Sequence, residues 1–128
     1  FVGRRDNGPQ ERKGMPRTEF INSMSSVLQE IQDNLHQRAK DFREANTCSI
    51  DNKEDFYDFF TPKDKDTNEI HGDFAKAHWA HDTEAEDRLQ KDLKVSIRCI
   101  PEERTGEPGT CPFTGKPSEG QVVFAKAY

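Results

Sequence analysis

Three histidines, His71, His78 and His81, lie near one another in the chain, and Cys111, further downstream, could join them. Together they are the one set whose side chains could hold a metal ion. A tetrahedral zinc site usually takes two pairs of Cys or His at short fixed spacings. Here a single His-x-x-His pair and a lone distant cysteine match that pattern weakly, and a histidine beside Trp79 at a strand end reads equally well as a surface residue. The stretch Gly109-Thr-Cys-Pro-Phe-Thr-Gly-Lys116-Pro117 resembles a phosphate-binding loop only in outline. A P-loop has four residues between its glycines and a Ser or Thr after the lysine, where this sequence has five residues and Pro117. Cys99 alternates with polar neighbours in an apolar run and reads as a small core residue. Cys48 follows a helix end and is either buried or idle. No Ser-His-Asp or Cys-His arrangement stands out, and acidic residues are too evenly spread for any pair to be chosen as acid and base. By its residues alone, the chain reads as non-catalytic.

The elements that would position these groups must be built from little apolar material. Leu, Ile, Val and Phe make up 24 of the 128 residues, near the level at which disorder becomes a serious alternative. The large net charge that normally accompanies disorder is missing: 19 basic against 24 acidic side chains leave −5. No apolar run is long enough for a membrane span, and Phe1-Val-Gly-Arg-Arg-Asp has no apolar core of a secretory signal. Three cysteines are unlike a secreted disulfide framework, so the cytoplasm is the expected compartment. A pI near 5.4 argues against a dominant nucleic-acid footprint but not a local one, because residues 1–17 carry five basic and two acidic side chains. Residues 51–73 carry three basic and eight acidic.

Phe1 to Arg5 reads as the tail of an extended segment stopped by the turn Asp6-Asn7-Gly8-Pro9, which suggests a chain cut from something larger. Gln10 to Gly14 reads as a loop. Pro16 suits a first helical turn, and Phe20, Met24, Val27, Ile31, Leu35, Ala39 and Phe42 then recur at spacings of three and four, one apolar stripe along a long helix ended by Asn46 and Thr47. A short helix fits Asp51 to Phe60, with Asp51 as its cap and Glu54 reaching back. Pro62 to Asn68 reads as a charged loop, and Asp73 to Trp79 as a strand. Asp82 caps a third helix with Leu89 and Leu93 inward. Lys94 to Ile100 alternates as a strand. Pro101 to Gly120 makes turns, and Gln121 to Tyr128 is a last strand. The expected fold is α/β: a two-layer sandwich with a long N-terminal helix, two shorter helices and a small sheet ending in two C-terminal strands.

Ser96-Ile-Arg-Cys-Ile-Pro101, Gly109-Thr-Cys-Pro-Phe-Thr-Gly-Lys-Pro117 and Val122-Val-Phe-Ala-Lys-Ala-Tyr128 closely resemble the C-terminus of the proline–tRNA ligases of the archaeal and eukaryotic type, which also occur in many bacteria. Arg4-Arg-Asp6, Glu30-Ile-Gln-Asp-Asn-Leu35 with Arg38, Phe42-Arg-Glu-Ala-Asn46 and Ala77-His-Trp79 fit the same family, so the resemblance spans the chain. It implies a fragment of a class II synthetase: residues 1–17 as the end of the anticodon-binding domain and a linker, and residues 18–128 as the C-terminal, zinc-binding-like domain. Such an enzyme activates proline with ATP and Mg to prolyl-adenylate and transfers it to tRNA(Pro). The implied role of the fragment is to support the catalytic module, and it is expected to be inactive alone. The implied partners are the catalytic and anticodon-binding domains, tRNA(Pro) through the whole enzyme, and a second copy through the catalytic domain as a homodimer.

The resemblance also locates a degenerate zinc site. Where zinc-containing members carry four cysteines, this chain has Cys111, with Thr114 at the other half of that pair and Ala80 and Ala85 near the first pair. Zinc is therefore expected to be lost, with Trp79 and Phe113 filling its space. Family members end in a tyrosine that reaches toward the aminoacylation site, which Tyr128 matches; its phenol and carboxylate are suited to bracing a neighbour by hydrogen bonds. Arg4 and Arg5 are candidates for lying near RNA. Two other readings stand beside this one: a free-standing interaction module of the same fold, and a small metal-binding protein using His71, His78, His81 and Cys111. The thin core suits a domain that lies against larger neighbours, and the stripe from Phe20 to Phe42 and the segment Phe124 to Tyr128 are expected to be under-buried.

Overall fold

In the computed structural model, residues 1–62, 72–102 and 108–126 are described. The expected charged loop after Pro62, together with His71 and Tyr128, lies outside them. Residues 1–45 and 46–128 form two compact units.

In the first unit, β1 (Val2–Gly3) pairs antiparallel with β2 (Arg12–Lys13), Val2 opposite Lys13 and Gly3 opposite Arg12. The segment expected as a loop over Gln10 to Gly14 thus contains a strand, which a two-residue ladder between polar residues gives no periodicity to announce. The turn between the strands is closed by the Asn7 N–H on the Arg4 carbonyl (3.3 Å) and the Glu11 N–H on the Gly8 carbonyl (3.0 Å). The long helix α1 runs over Arg17–Ala45, beginning directly after Pro16, whose carbonyl accepts from the Phe20 N–H. It buries none of its residues. Met24, Val27, Ile31 and Leu35 are half-buried, while Phe20 and Phe42 are 36% and 72% exposed. The stripe is under-buried, as expected, and it borders an open groove of about 570 Å³ lined on its other side by Phe1 to Arg4.

Polar groups hold this unit together. Asp6, whose side chain is fully covered, accepts from Arg4 Nε and Nη2 (3.1 and 2.9 Å) and from Asn34 Nδ2 (2.8 Å), while Arg38 Nη1 donates to its carbonyl (2.7 Å). Arg4 also reaches Glu30 at 2.7 Å. The Arg4 hydrogen bonds, and then that from Asn34, hold the Asp6 carboxyl far below the usual carboxylate range. This network ties the turn after β1 to the middle of α1.

The second unit is a two-layer α/β arrangement. Its four-stranded sheet has the order β3-β4-β8-β5, from β3 (Thr47–Ser49), β4 (Phe74–His78), β8 (Gln121–Lys126) and β5 (Val95–Cys99). β3 and β4 are parallel, joined across helix α2 (Lys53–Phe60); the other pairs are antiparallel, with α3 (Thr83–Leu93) between β4 and β5. The ladder puts Ala75, Ala77, Val122, Phe124, Val95 and Ile97 on one face, where Phe56 and Phe60 of α2 and Leu89 and Leu93 of α3 join them in one core. Rings dominate it. Phe56 lies 4.9 Å from Phe60, 4.8 Å from Phe113 and 5.1 Å from Phe124, the last two edge-to-face. A second short ladder pairs β6 (Gly109–Thr110) with β7 (Pro117–Ser118).

Several expectations are corrected here. The cap of α2 is Asn52, one residue past Asp51: its Oδ1 accepts from the Asp55 N–H (2.8 Å) and its Nδ2 donates to the Asp55 carboxylate (2.6 Å), so the reciprocal partner is Asp55 rather than Glu54, bonded side chain to side chain. Starting there sets Phe56 and Phe60 one turn apart on the inner side. Cys99 is exposed. A register shift between Ile97 and Cys99 inserts Arg98 as an extra residue and turns Cys99 opposite Val123, on the outer face, where strict alternation would have put it inside. Phe124 is fully buried because β8 is an inner strand flanked on both sides, contrary to the under-buried terminus expected. By contrast, Asp82 caps α3 as expected, accepting from the Ala85 N–H at 3.1 Å.

Candidate functional site

The place where the sequence singled out ligands is built by the turn between β6 and β7. Within it the Cys111 N–H donates to the Lys116 carbonyl and the Gly115 N–H to the Cys111 carbonyl, both at 2.9 Å. The turn needs a left-handed residue, supplied by Gly115 at φ +70°. Thr114 Oγ1 accepts from the Lys116 N–H (3.3 Å) and stays half-exposed. Cys111 is fully buried, part of the same apolar core as Ala85, which is 1% exposed, with Ala80 packed against it. Phe113, between Cys111 and Thr114, sends its ring in among Phe56, Phe124 and Trp79.

One ion pair joins this turn to the start of α3. Lys116 Nζ donates to Asp82 Oδ2 at 2.6 Å, while Asp82 Oδ1 holds the Ala85 N–H. The Lys116 hydrogen bond, and then the Ala85 N–H, keep the Asp82 carboxyl below the usual range; Asp82 in turn raises the Lys116 ammonium. Sequence reasoning found the cap and missed its second partner, because Lys116 is remote in the chain and lysine after a Gly turn carries no signal of its target.

Among the described residues, His78 and His81 are not brought together as ligands. His78 Nδ1 lies 3.3 Å from the hydroxyl of buried Ser118, and its ring covers Gly109 so closely that a Cβ there would sit 2.5 Å from Nε2. Ser118 Oγ also accepts from the Trp79 N–H (3.0 Å) and donates to the Gly120 carbonyl (2.8 Å), so the β6–β7 ladder is locked to the end of β4. His81 is exposed at φ +53°. Among the described residues no three His, Cys, Asp or Glu side chains are grouped as a metal site. The four positions taken from the family resemblance offer one thiol, one hydroxyl and two methyl groups, a set that does not fit zinc.

The remaining candidates are placed as follows. Arg4 is committed to Asp6 and Glu30, whereas Arg5 is exposed. Cys48 is half-buried with its thiol toward the Phe74 carbonyl (3.8 Å), and burial, then Asp73, pushes it up, away from nucleophilic use. Among the described residues no helix is long and apolar enough to cross a membrane.

Comparison with known proteins matches this geometry to one family. Residues 65–128 match the family model described as prolyl-tRNA synthetase, C-terminal. Along its whole length the chain is 50% identical to proline–tRNA ligase 2 of Anaeromyxobacter dehalogenans, of which it covers 26%, and 40% identical to the proline–tRNA ligase of Bdellovibrio bacteriovorus, of which it covers 25%. The chain thus spans about a quarter of the length of these curated relatives. The crystal structure of prolyl-tRNA synthetase from Cryptosporidium parvum, complexed with L-proline and AMP, shares the fold with a TM-score of 0.73 at 19% identity, over 89% of this chain and 23% of that one. With a family model matched over half its residues, the chain belongs to the prolyl-tRNA synthetase C-terminal domain family.

Proposed function

We propose that this chain works as the C-terminal, non-catalytic part of a proline–tRNA ligase, supporting the module that attaches proline to tRNA(Pro) with ATP through prolyl-adenylate. The observation that carries the reading is coverage: the chain aligns from end to end, yet amounts to only 26% of a 50%-identical ligase. The under-buried stripe on α1 agrees with it, since an apolar face of that length is suited to packing against neighbouring protein. In this reading residues 1–17 close the anticodon-binding domain and residues 18–128 form the appended domain. ATP and Mg serve the catalytic domain, the enzyme dimerises through that domain, and it works in the cytoplasm. Arg5, whose guanidinium is exposed, is better placed than the paired Arg4 to meet RNA.

Tyr128 has a distinct part in this proposal. Its phenol and terminal carboxylate brace the catalytic domain near the aminoacylation site, as the resemblance implies. The test uses three proteins: the chain alone, a full-length ligase carrying it, and that ligase without Tyr128. Proline-dependent ATP–pyrophosphate exchange should be absent from the chain alone and present in the ligase. Deleting Tyr128 should lower aminoacylation while leaving the melting temperature nearly unchanged. Exchange activity in the chain alone would overturn the supporting role, and unchanged aminoacylation would overturn the bracing role.

A further inference from the structure

The turn at 111–116 and the entry to α3 are separate in sequence and must be held together in space, and the donor set at Ala80, Ala85, Cys111 and Thr114 does not fit a metal that would do it. Ala85 is 1% exposed and contributes a methyl group to the core, in which Cys111 is also fully buried. A structural zinc needs four donors, and this set supplies at most one thiolate and one hydroxyl. Two other connections are present. The Asp82–Lys116 pair, at 2.6 Å, starts between Ala80 and Ala85 and ends two residues beyond Thr114. The Phe113 ring, 4.8 Å from Phe56 and 6.2 Å from Trp79, anchors the same turn from the inside.

We infer that the Asp82–Lys116 ion pair, backed by the Phe113 ring, replaces a metal as the clasp of this domain, so that the chain folds without zinc. The placement of both residues supports it. Asp82 keeps 16% of its side chain exposed, so the pair is less screened than one between two solvated side chains. Its two oxygens have separate tasks, Oδ1 capping α3 and Oδ2 receiving the ammonium, so that α3 and the turn share one carboxylate. Lys116 is fixed at the other end by its own carbonyl, which accepts from the Cys111 N–H.

The inference rests on the family reading for the four ligand positions, and its test reads metal and stability rather than aminoacylation, so the two can fail separately. The 128-residue chain is produced in zinc-supplemented medium, and its zinc content and thermal unfolding are measured with and without EDTA. Far less than one zinc per chain and a melting temperature indifferent to EDTA are expected; one zinc per chain, with a lower melting temperature after chelation, would overturn the inference. Asp82→Asn retains the capping oxygen and removes the charge, and Lys116→Met removes the partner. Each should lower the melting temperature by roughly 2–6 °C, and the double variant should be no worse than the weaker single. Additive losses would show that the two side chains act independently and that the pair is no clasp.

Discussion

The two units of this chain are stabilised in opposite ways. In residues 1–45 the one buried residue is a carboxylate, Asp6, held by Arg4, Asn34 and Arg38, while a helix of 29 residues buries nothing. In residues 46–128 the buried set is a ring-filled core around Phe56, with Trp79, Phe60 and Phe124. The charge differs as well: the first unit has eight basic and seven acidic residues, the second eleven and seventeen. A unit built on a core is stable by its own burial. One built on a hydrogen-bonded ion network beside an uncovered apolar stripe has its orientation fixed, yet much of its hydrophobic stabilisation remains unused. That contrast agrees with the proposed role as part of a larger enzyme: the second unit has a closed core, and the first leaves its apolar stripe uncovered.

The largest break in the comparison should come from Phe56→Ala, because that ring is fully buried and touches three others. A loss of about 3–5 kcal/mol is expected in denaturant unfolding of the second unit; a loss under about 1 kcal/mol would mean that the ring cluster does not carry the unit.

Acid should then act on the first unit. The Asp6 carboxyl ionises well below an unfolded aspartate, so its contribution is complete above about pH 4 and fades as pH falls toward its folded value. The protection of α1 amides, measured as exchange slowed relative to the unfolded rate at the same pH, should fall below about pH 4 in the native chain. Asp6→Asn should exchange faster at neutral pH and lose that acid dependence; an unaltered acid profile would assign the dependence to other carboxylates.

Gly109→Ala should cost about 1–3 kcal/mol, because its Cβ would meet the His78 ring at 2.5 Å. Adding His78→Ala should recover much of the loss. Equal damage in both backgrounds would place the strain in the backbone instead.

The smallest effect sharpens the helix boundary. Asn52→Ala should cost about 1 kcal/mol and Asp51→Ala close to none, since only Asn52 reaches the Asp55 N–H. The reverse order in thermal melts would restore Asp51 as the cap.

Legibility followed range. The stripe of α1 and the Asp82 cap of α3 were readable because period and cap chemistry lie within a few neighbouring residues. The β3 strand and the two short hairpins were not, since strands of two or three residues exist only through their partners. Cys99 was misplaced by one inserted residue, an event that alternation cannot register. The sequence marks Arg4 as basic, and its ion pairs with Asp6 and Glu30 exist only in the folded unit. At the family's ligand positions, the missing cysteines were plain from the residues, and the Asp82–Lys116 pair was not.

By itself the sequence determined the residue types at those positions, the long amphipathic helix, the α/β class and, through its closing motifs, the family. Only the tertiary structure decided that β8 lies inside the sheet and buries Phe124, that His78 faces Ser118 and Gly109, and that Lys116 meets Asp82. Helical period and capping are properties of contiguous chain. Strand order, register and ion pairing between remote residues arise from a free-energy balance over the whole unit, which no local stretch contains.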